Sequence, residues 1–453
     1  MLRRFWNFRA WYADPISLVE KISGTILTHS GARRRAGLTI AEGRVVDVGP
    51  PDSTTGLDYG GSLLLPGAVD VHVHTRSYAE EGIERCTTAA AAGGVTTVVD
   101  MPYDAAGPID TVEAFERKVA DVGREAVIDV ALWATVPPAG PLDQVQALVD
   151  AGAASFKCST FNTHPQRFPQ IPDPQLLRAF REIAHAGGMV GIHAENDELV
   201  RAGIAAEQAA GNQGDPLAHA RSRPPIAENE AIARVLEMAR VTGVRIHICH
   251  VTTPRGVQLI AQARADGVDA SGETCPHYLL LDESDLARRG GECKINPPLR
   301  PEKLPADGLE LISSDHVGWP IERKHGPDIF ALSSGAPGVE LIAALVHDAL
   351  GPAELVRLVS EQPAKRFGLW PRKGAIAPGA DADLMVLDES VTWTVEPTQL
   401  ITPAGWSPYT GRTLHGRVVA TFSRGEQVWD GDRLLAEPGR GRFVPANTAA
   451  VRV

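Results

Sequence analysis

Cysteine is scarce in this sequence. Five occur among 453 residues (Cys86, Cys158, Cys249, Cys275 and Cys293), an odd number with no C-x-x-C spacing. That argues against a disulfide framework and suits a reducing compartment. No apolar run approaches the ~18 residues that a membrane-spanning helix needs, so no membrane partner is expected. The N-terminal MLRRFWNFRAWYADP lacks both the continuous apolar stretch and the small-residue cleavage site of a secretory signal. A cytoplasmic protein is the expectation. Excess positive charge is also missing. The 44 Lys and Arg against 56 Asp and Glu leave a formal charge of −12, which argues against a nucleic-acid-binding face. The short basic clusters, Arg33 to Arg35 and Arg372 with Lys373, read as solvated surface. Internal repeats and low-complexity linkers are absent.

What remains is an ordinary globular composition, 43% hydrophobic and 22% charged. The chain is longer than the ~250–300 residues at which single cores stop growing, so one large and one smaller domain are expected. From Ile22 to Leu65 short apolar runs alternate with turns, and GLTIAEGRVVDVG reads as a hairpin around Glu42-Gly43. After Pro66-Gly67, runs such as AVDVHVH, VTTVVDM, ASFKCS, MVGIHA and RIHICHV alternate with Ala- and Leu-rich helical stretches. Val- and Ile-rich strands separated by helices imply a parallel sheet covered on both faces. Some eight such alternations fit an α/β fold of the TIM type, a (β/α)8 barrel, better than an open sheet. Past Pro371 the strand texture returns. Residues 1–67 and 371–453 are therefore read as two parts of one small composite β domain, and 68–370 as the barrel.

His72 and His74 end the first barrel strand two residues apart, so both imidazoles face the same way. Alone, such a pair could be packed polar residues at a barrel mouth. His193 ends the fifth candidate strand, His250 the sixth and Asp315 the eighth. Active sites of TIM barrels gather at the C-terminal ends of the strands, so these five side chains converge although about 240 positions separate them. Four imidazoles and a carboxylate suit Zn²⁺. Lys157, in ASFKCST at the end of the fourth strand, is costly as an inward-facing ammonium and has no lone pair for a metal. Carboxylated by carbon dioxide, it becomes an anion with two oxygens, able to bridge two cations. Cys158 and Cys249 adjoin these residues, but strand neighbours point oppositely, so both read as small buried apolar residues.

The set DVHVHTR, AAAAGGVTTVVDMP, SFKCS, GIHAEND, ICHVTTPRG, GETCPHYL, KINPPLR and SSDH resembles the cyclic amidohydrolases, which comprise dihydroorotases, allantoinases and hydantoinases. The resemblance runs from about Ile22 to Asp432. It implies a two-metal centre, two divalent ions of the Zn²⁺ type bridged by carboxylated Lys157. His72, His74 and Asp315 would hold one ion, His193 and His250 the other. Hydroxide between the ions would attack the amide carbon of a small cyclic amide, ureide or imide, with Asp315 shuttling its proton to the leaving nitrogen. Arg76, completing His-x-His-x-Arg, would clamp a substrate carboxylate as in dihydroorotases, or pair with Glu80 or Glu81. Asn296 and Asn162 would bind the polar edge of the ring.

Three departures weigh against a plain dihydroorotase. Met101-Pro102-Tyr103-Asp104 replaces Met-Pro-Asn-Thr, Val317-Gly318-Trp319 replaces Ala-Pro-His, and HTRSYAEEG lacks the usual proline-glycine turn. Tyr103 and Trp319 would then stack on a flat ring or aryl substituent. The leading expectation is a hydantoinase- or allantoinase-like hydrolase, with dihydroorotase, a non-catalytic barrel scaffold or assembly subunit, and a deaminase as alternatives. Finally, RPEKLPADGLE, spanning residues 300–310, cannot form a good helix before the last strand. A thinned wall covered by a partner subunit is expected there, in a homo-oligomer, dimer or tetramer.

Overall fold

The structure is a computed structural model and describes residues 21–27, 31–51, 56–305, 308 and 310–447. Eight parallel strands follow one another around a barrel: Ala68–Val73, Val95–Asp100, Asp129–Thr135, Ser155–Ser159, Met189–His193, Arg245–Ile248, Ala270–Thr274 and Leu311–Ile312. Six of these, all but the sixth and eighth, are five to seven residues long and buried throughout, as strands enclosed on both faces must be. Amphipathic helices such as Val112–Glu125, Asp173–His185 and Pro225–Thr242 pack outside. Thr111 caps the first of these by accepting from the Ala114 N–H.

Closure between the eighth strand and the first is thin. It consists of a single parallel bridge, Val73 to His316, with the His74 N–H donating to the His316 carbonyl at 2.9 Å. The Asp70 carboxylate reinforces the seam by accepting from the Ser314 N–H at 3.0 Å. Inside the barrel, Trp133 fills the space below the functional end and donates its indole N–H to the Val71 carbonyl. Gly191 is required beside it, because a Cβ there would run into the Trp133 ring.

A separate seven-stranded sheet joins the two ends of the chain. Leu57–Pro66 pairs on one side with Lys21–Leu27 and on the other, antiparallel, with Leu384–Thr394. The hairpin at Glu42-Gly43 is present, with φ of 52° and 77° suited to a tight two-residue turn. Two expectations need correction. Residues 441–447, assigned from sequence to the β domain, lie against the barrel instead: Val444 donates to Val130 and Ala446 to Gly152. Lys373 is no surface residue. It is fully buried between Asp129, Asp381 and Asp383 at 2.6–2.9 Å and ties the return segment to the foot of the third strand.

Between Arg300 and Glu310 no helix forms among the described residues, and residues 306, 307 and 309 lie outside them. Leu304 covers part of the gap, buried and bonded to Tyr278. No helix among the described residues is long and apolar enough to cross a membrane.

Candidate metal centre and its surroundings

The barrel brings all six metal-type residues to the lining of one cavity. His72 and His74 lie at the end of the first strand, Lys157 in the fourth and His193 at the end of the fifth. His250 and Asp315 sit just beyond strand ends, at φ of 39° and 48°. Such values are uncommon outside glycine and cluster where backbone is bent for function. The bend turns both side chains into the cavity.

The four rings form a contiguous cluster, with centroids 5.4 Å apart for His72 and His74, 5.3 Å for His72 and His250, and 4.7 Å for His193 and His250. Asp315 Oδ1 lies 3.1 Å from His72 Nε2 and 3.4 Å from His74 Nε2. On the other side His193 Nδ1 faces His250 Nε2 at 3.1 Å. Burial keeps His72 neutral, with its pKa lowered to about 4, and lowers His250 well below the usual imidazole value. Neutral rings expose the lone pairs that a cation needs.

Lys157 is unlike the other buried lysines. Lys118 faces Asp100 and Asp104, and Lys373 three aspartates. Lys324 and Lys294 donate to backbone carbonyls. Lys157, 3% exposed, has no oxygen partner among the described residues. Its Nζ lies 3.3 Å from His72 Nε2 and touches Cys249. An ammonium placed among imidazoles without an anion is an unstable arrangement; a carbamate among cations held by those imidazoles is a stable one. The residues therefore fit a metal centre.

The description "Amidohydrolase family" matches residues 63–428. This chain belongs to the amidohydrolase family. An allantoinase of Rubrobacter xylanophilus is 37% identical over 441 residues, covering 93% of this chain and 96% of that one. An L-hydantoinase of Paenarthrobacter aurescens is 33% identical over 442 residues, covering 92% and 96%. Among solved structures, the L-hydantoinase (dihydropyrimidinase) from Arthrobacter aurescens superposes with a TM-score of 0.89 at 31% identity, covering 95% of this chain and all of that one.

In this amidohydrolase Tyr103, Asn296 and Trp319 line the cavity, and Asn296 Oδ1 is buried with no hydrogen-bond partner among the described residues. Asn162 is not a lining residue; its N–H donates to Asp197. Arg76 is turned away from the cavity. It binds Asp121 and Glu125, one turn apart on the helix Val112–Glu125, rather than Glu80 or Glu81. Glu81 instead serves His316 and the Gly318 N–H. Asp104, where the family pattern has a threonine, neutralises Lys118. Cys249 also departs from its expected outward direction. The sixth strand ends at Ile248, alternation stops there, and the thiol falls beside His72 and Glu273. Burial pushes that thiol up to about 12, so it stays protonated.

Sequence reasoning missed the carboxylates behind the imidazoles. Glu273, on the seventh strand, binds His72 Nδ1 and lies 3.3 Å from His247 Nε2. Burial would raise its carboxyl, yet the two histidines hold it well below the usual carboxylate range. Glu195 receives His193 Nε2 at 2.8 Å and Arg223 at 2.6 Å. Each carboxylate fixes one ring nitrogen and leaves the other for the metal, the arrangement that orients ligating histidines generally. The signal in the sequence was an acid inside or just after an otherwise buried strand, which must have a partner.

Proposed function

We propose that this amidohydrolase opens a carbon–nitrogen bond in a small cyclic amide, ureide or imide, in the manner of a hydantoinase or allantoinase. The observation that carries the reading is the convergence at one cavity of His72, His74, His193, His250, Asp315 and Lys157, the last with no oxygen partner among the described residues. His72, His74 and Asp315 would hold one divalent ion and His193 with His250 a second, both most simply Zn²⁺, with carboxylated Lys157 between them. When bound, the ions supply Lewis-acid polarisation of the ring carbonyl and acidify the attacking water.

The remaining work falls to the chain. Asp315 is the carboxylate in the centre that opens to the cavity, and it takes the proton of the attacking water and returns it to the leaving nitrogen. Glu273 and Glu195 keep His72 and His193 in fixed orientation. Asn296 meets the polar edge of the ring. Tyr103, packed on Phe168 with centroids 4.8 Å apart, and Trp319 confine its faces and keep bulk water out.

The dihydroorotase alternative loses its support with Arg76, which is saturated by Asp121 and Glu125. A scaffold role has no use for a complete ligand set. The deciding experiment is a hydrolysis screen of metal-loaded protein against hydantoins, allantoin, dihydropyrimidines, cyclic imides and dihydroorotate. Turnover of a neutral ring is expected. Inertness towards every ring, or turnover of dihydroorotate alone, would overturn the reading.

A further inference from the structure

Outside the metal cavity, and sharing Ser77 with it, lies an open vestibule of about 500 Å³. Two guanidiniums face this space, those of Arg167 and Arg323. Neither has a carboxylate partner among the described residues, in a chain whose acidic groups outnumber its basic ones by 56 to 44. Most other surface arginines are paired; Arg221, Arg240 and Arg264 are examples. Both are instead stacked on aromatic rings that border the metal cavity. The Arg167 guanidinium lies 5.1 Å from the Tyr103 ring centre, and that of Arg323 lies 4.9 Å from Trp319. The two rings expected from sequence to hold an aryl substituent thus carry positive charge at the cavity rim.

Both arginines are held on ordered backbone. Arg323 sits in the short helical turn Ile321–Lys324, next to Lys324, whose buried ammonium donates to the Lys294, Ser333 and Gly335 carbonyls. Its own carbonyl accepts from Ser333. Arg167 belongs to the loop closed by reciprocal hydrogen bonds between His164 and Phe168, and its Nη1 donates to the Ser77 carbonyl at 3.2 Å. The other titratable groups facing the vestibule are Glu80, exposed, Tyr78 and His164. His164 accepts backbone N–H groups on Nδ1, and burial and Arg167 favour its neutral form. The balance there is positive, against the sign of the whole protein.

We infer that Arg167 and Arg323 form an anion-recognition subsite at the mouth, and that the preferred substrate is a cyclic amide bearing a flexible substituent that ends in a carboxylate. This rests on the cyclic-amide reading above and adds the substituent's charge. The ring enters between Tyr103 and Trp319 to reach the metal centre, and the chain on its far side extends back into the vestibule. Placing a planar carboxylate on preorganised guanidiniums gives charge-assisted, directional contacts. Arg76, assigned this role by sequence pattern, is already neutralised on its helix and cannot take it.

The test compares 5-(2-carboxyethyl)hydantoin with its methyl ester, by turnover and by calorimetric binding to metal-loaded protein. Wild type should favour the acid by on the order of 10- to 100-fold in kcat/KM and in affinity, with the preference falling as salt rises. The double variant Arg167→Met/Arg323→Met should bind and hydrolyse the acid no better than the ester, through KM rather than kcat. The double Lys variant should retain part of the preference. Equal handling of acid and ester by wild type would overturn the inference. So would a parallel loss of both by the Met variant, which would assign the arginines a structural role. If neither hydantoin is hydrolysed, the wider hydrolysis screen decides the cyclic-amide reading, and the binding comparison decides the subsite.

Discussion

Lys157 Nζ stands 3.3 Å from His72 Nε2, in a cavity wall where no oxygen neutralises it among the described residues. The lysine is in register with Gly191 on the neighbouring strand and has the Trp133 ring 5.9 Å from its Nζ, so it cannot retreat to water. Lys157→Met should therefore lose most bound metal and nearly all activity while keeping the fold. Intact-mass measurement under gentle conditions should show one added carbon dioxide on the wild type and none on the variant. A variant that retains two ions per chain would remove Lys157 from the centre.

Asp315→Asn tests proton transfer. The loss in kcat should be on the order of 10²–10⁴-fold, the contribution usual for general acid–base catalysis. Because Asp315 Oδ1 also lies among the imidazoles, metal content must be determined on the same sample. Unchanged turnover with full metal would pass the role to another group.

Glu273→Gln should leave the ligands in place but free the His72 ring. Removal of such a supporting carboxylate typically weakens metal affinity by about 10- to 100-fold. Competition with a chelator should show that shift, and wild-type affinity in the variant would make Glu273 a packing residue.

Arg76→Leu separates sequence pattern from structure. A substrate clamp would cost roughly 30-fold or more in kcat/KM for carboxylated rings. The observed pairing predicts a small change for every ring and a stability cost of about 1 kcal/mol, measured by urea titration. A selective collapse towards carboxylated rings would contradict the observed placement.

Lys373→Met should be far more harmful, about 3–5 kcal/mol, because Asp129, Asp381 and Asp383 would be left buried without their cation. Burial opposes ionisation of Asp381, but Lys373 and Arg372 prevail and hold its carboxyl below the ordinary 3.8. The stability it contributes is therefore present above 3.8 and lost as pH falls through the depressed folded value. The stability gap between wild type and Asp381→Asn should be open at about pH 7 and close in acid below 3.8. A gap independent of pH would assign the effect to packing.

The barrel and the six metal-type residues were legible because strand ends of a closed parallel barrel are brought together by topology alone. Whatever depends on long-range pairing was not. Arg76 has partners 45 and 49 residues away; the visible clue was that Asp121 and Glu125 are four apart on one helix. Lys373 looked like half of a surface dibasic pair, since the aspartate that buries it lies 244 positions earlier. Cys249 was misread because alternation was carried one residue past the end of its strand. The guanidiniums at Tyr103 and Trp319 lay in a loop and a single helical turn, too short for any periodicity to describe.

The last described residues also bear on how the molecule assembles. The floor of the barrel, where Val444 packs with Trp133, Phe367 and Leu369, uses residues separated by more than 300 positions, and the sheet edge at Leu57–Pro66 waits for Leu384–Leu387. Strands made early are left with an unfilled base and an unpaired edge until the far end of the chain arrives. Folding should therefore be slow and mostly post-translational, and the waiting intermediate is the species most exposed to aggregation. Yield of active protein should respond to temperature and chaperones more than to codon-level pauses inside the barrel.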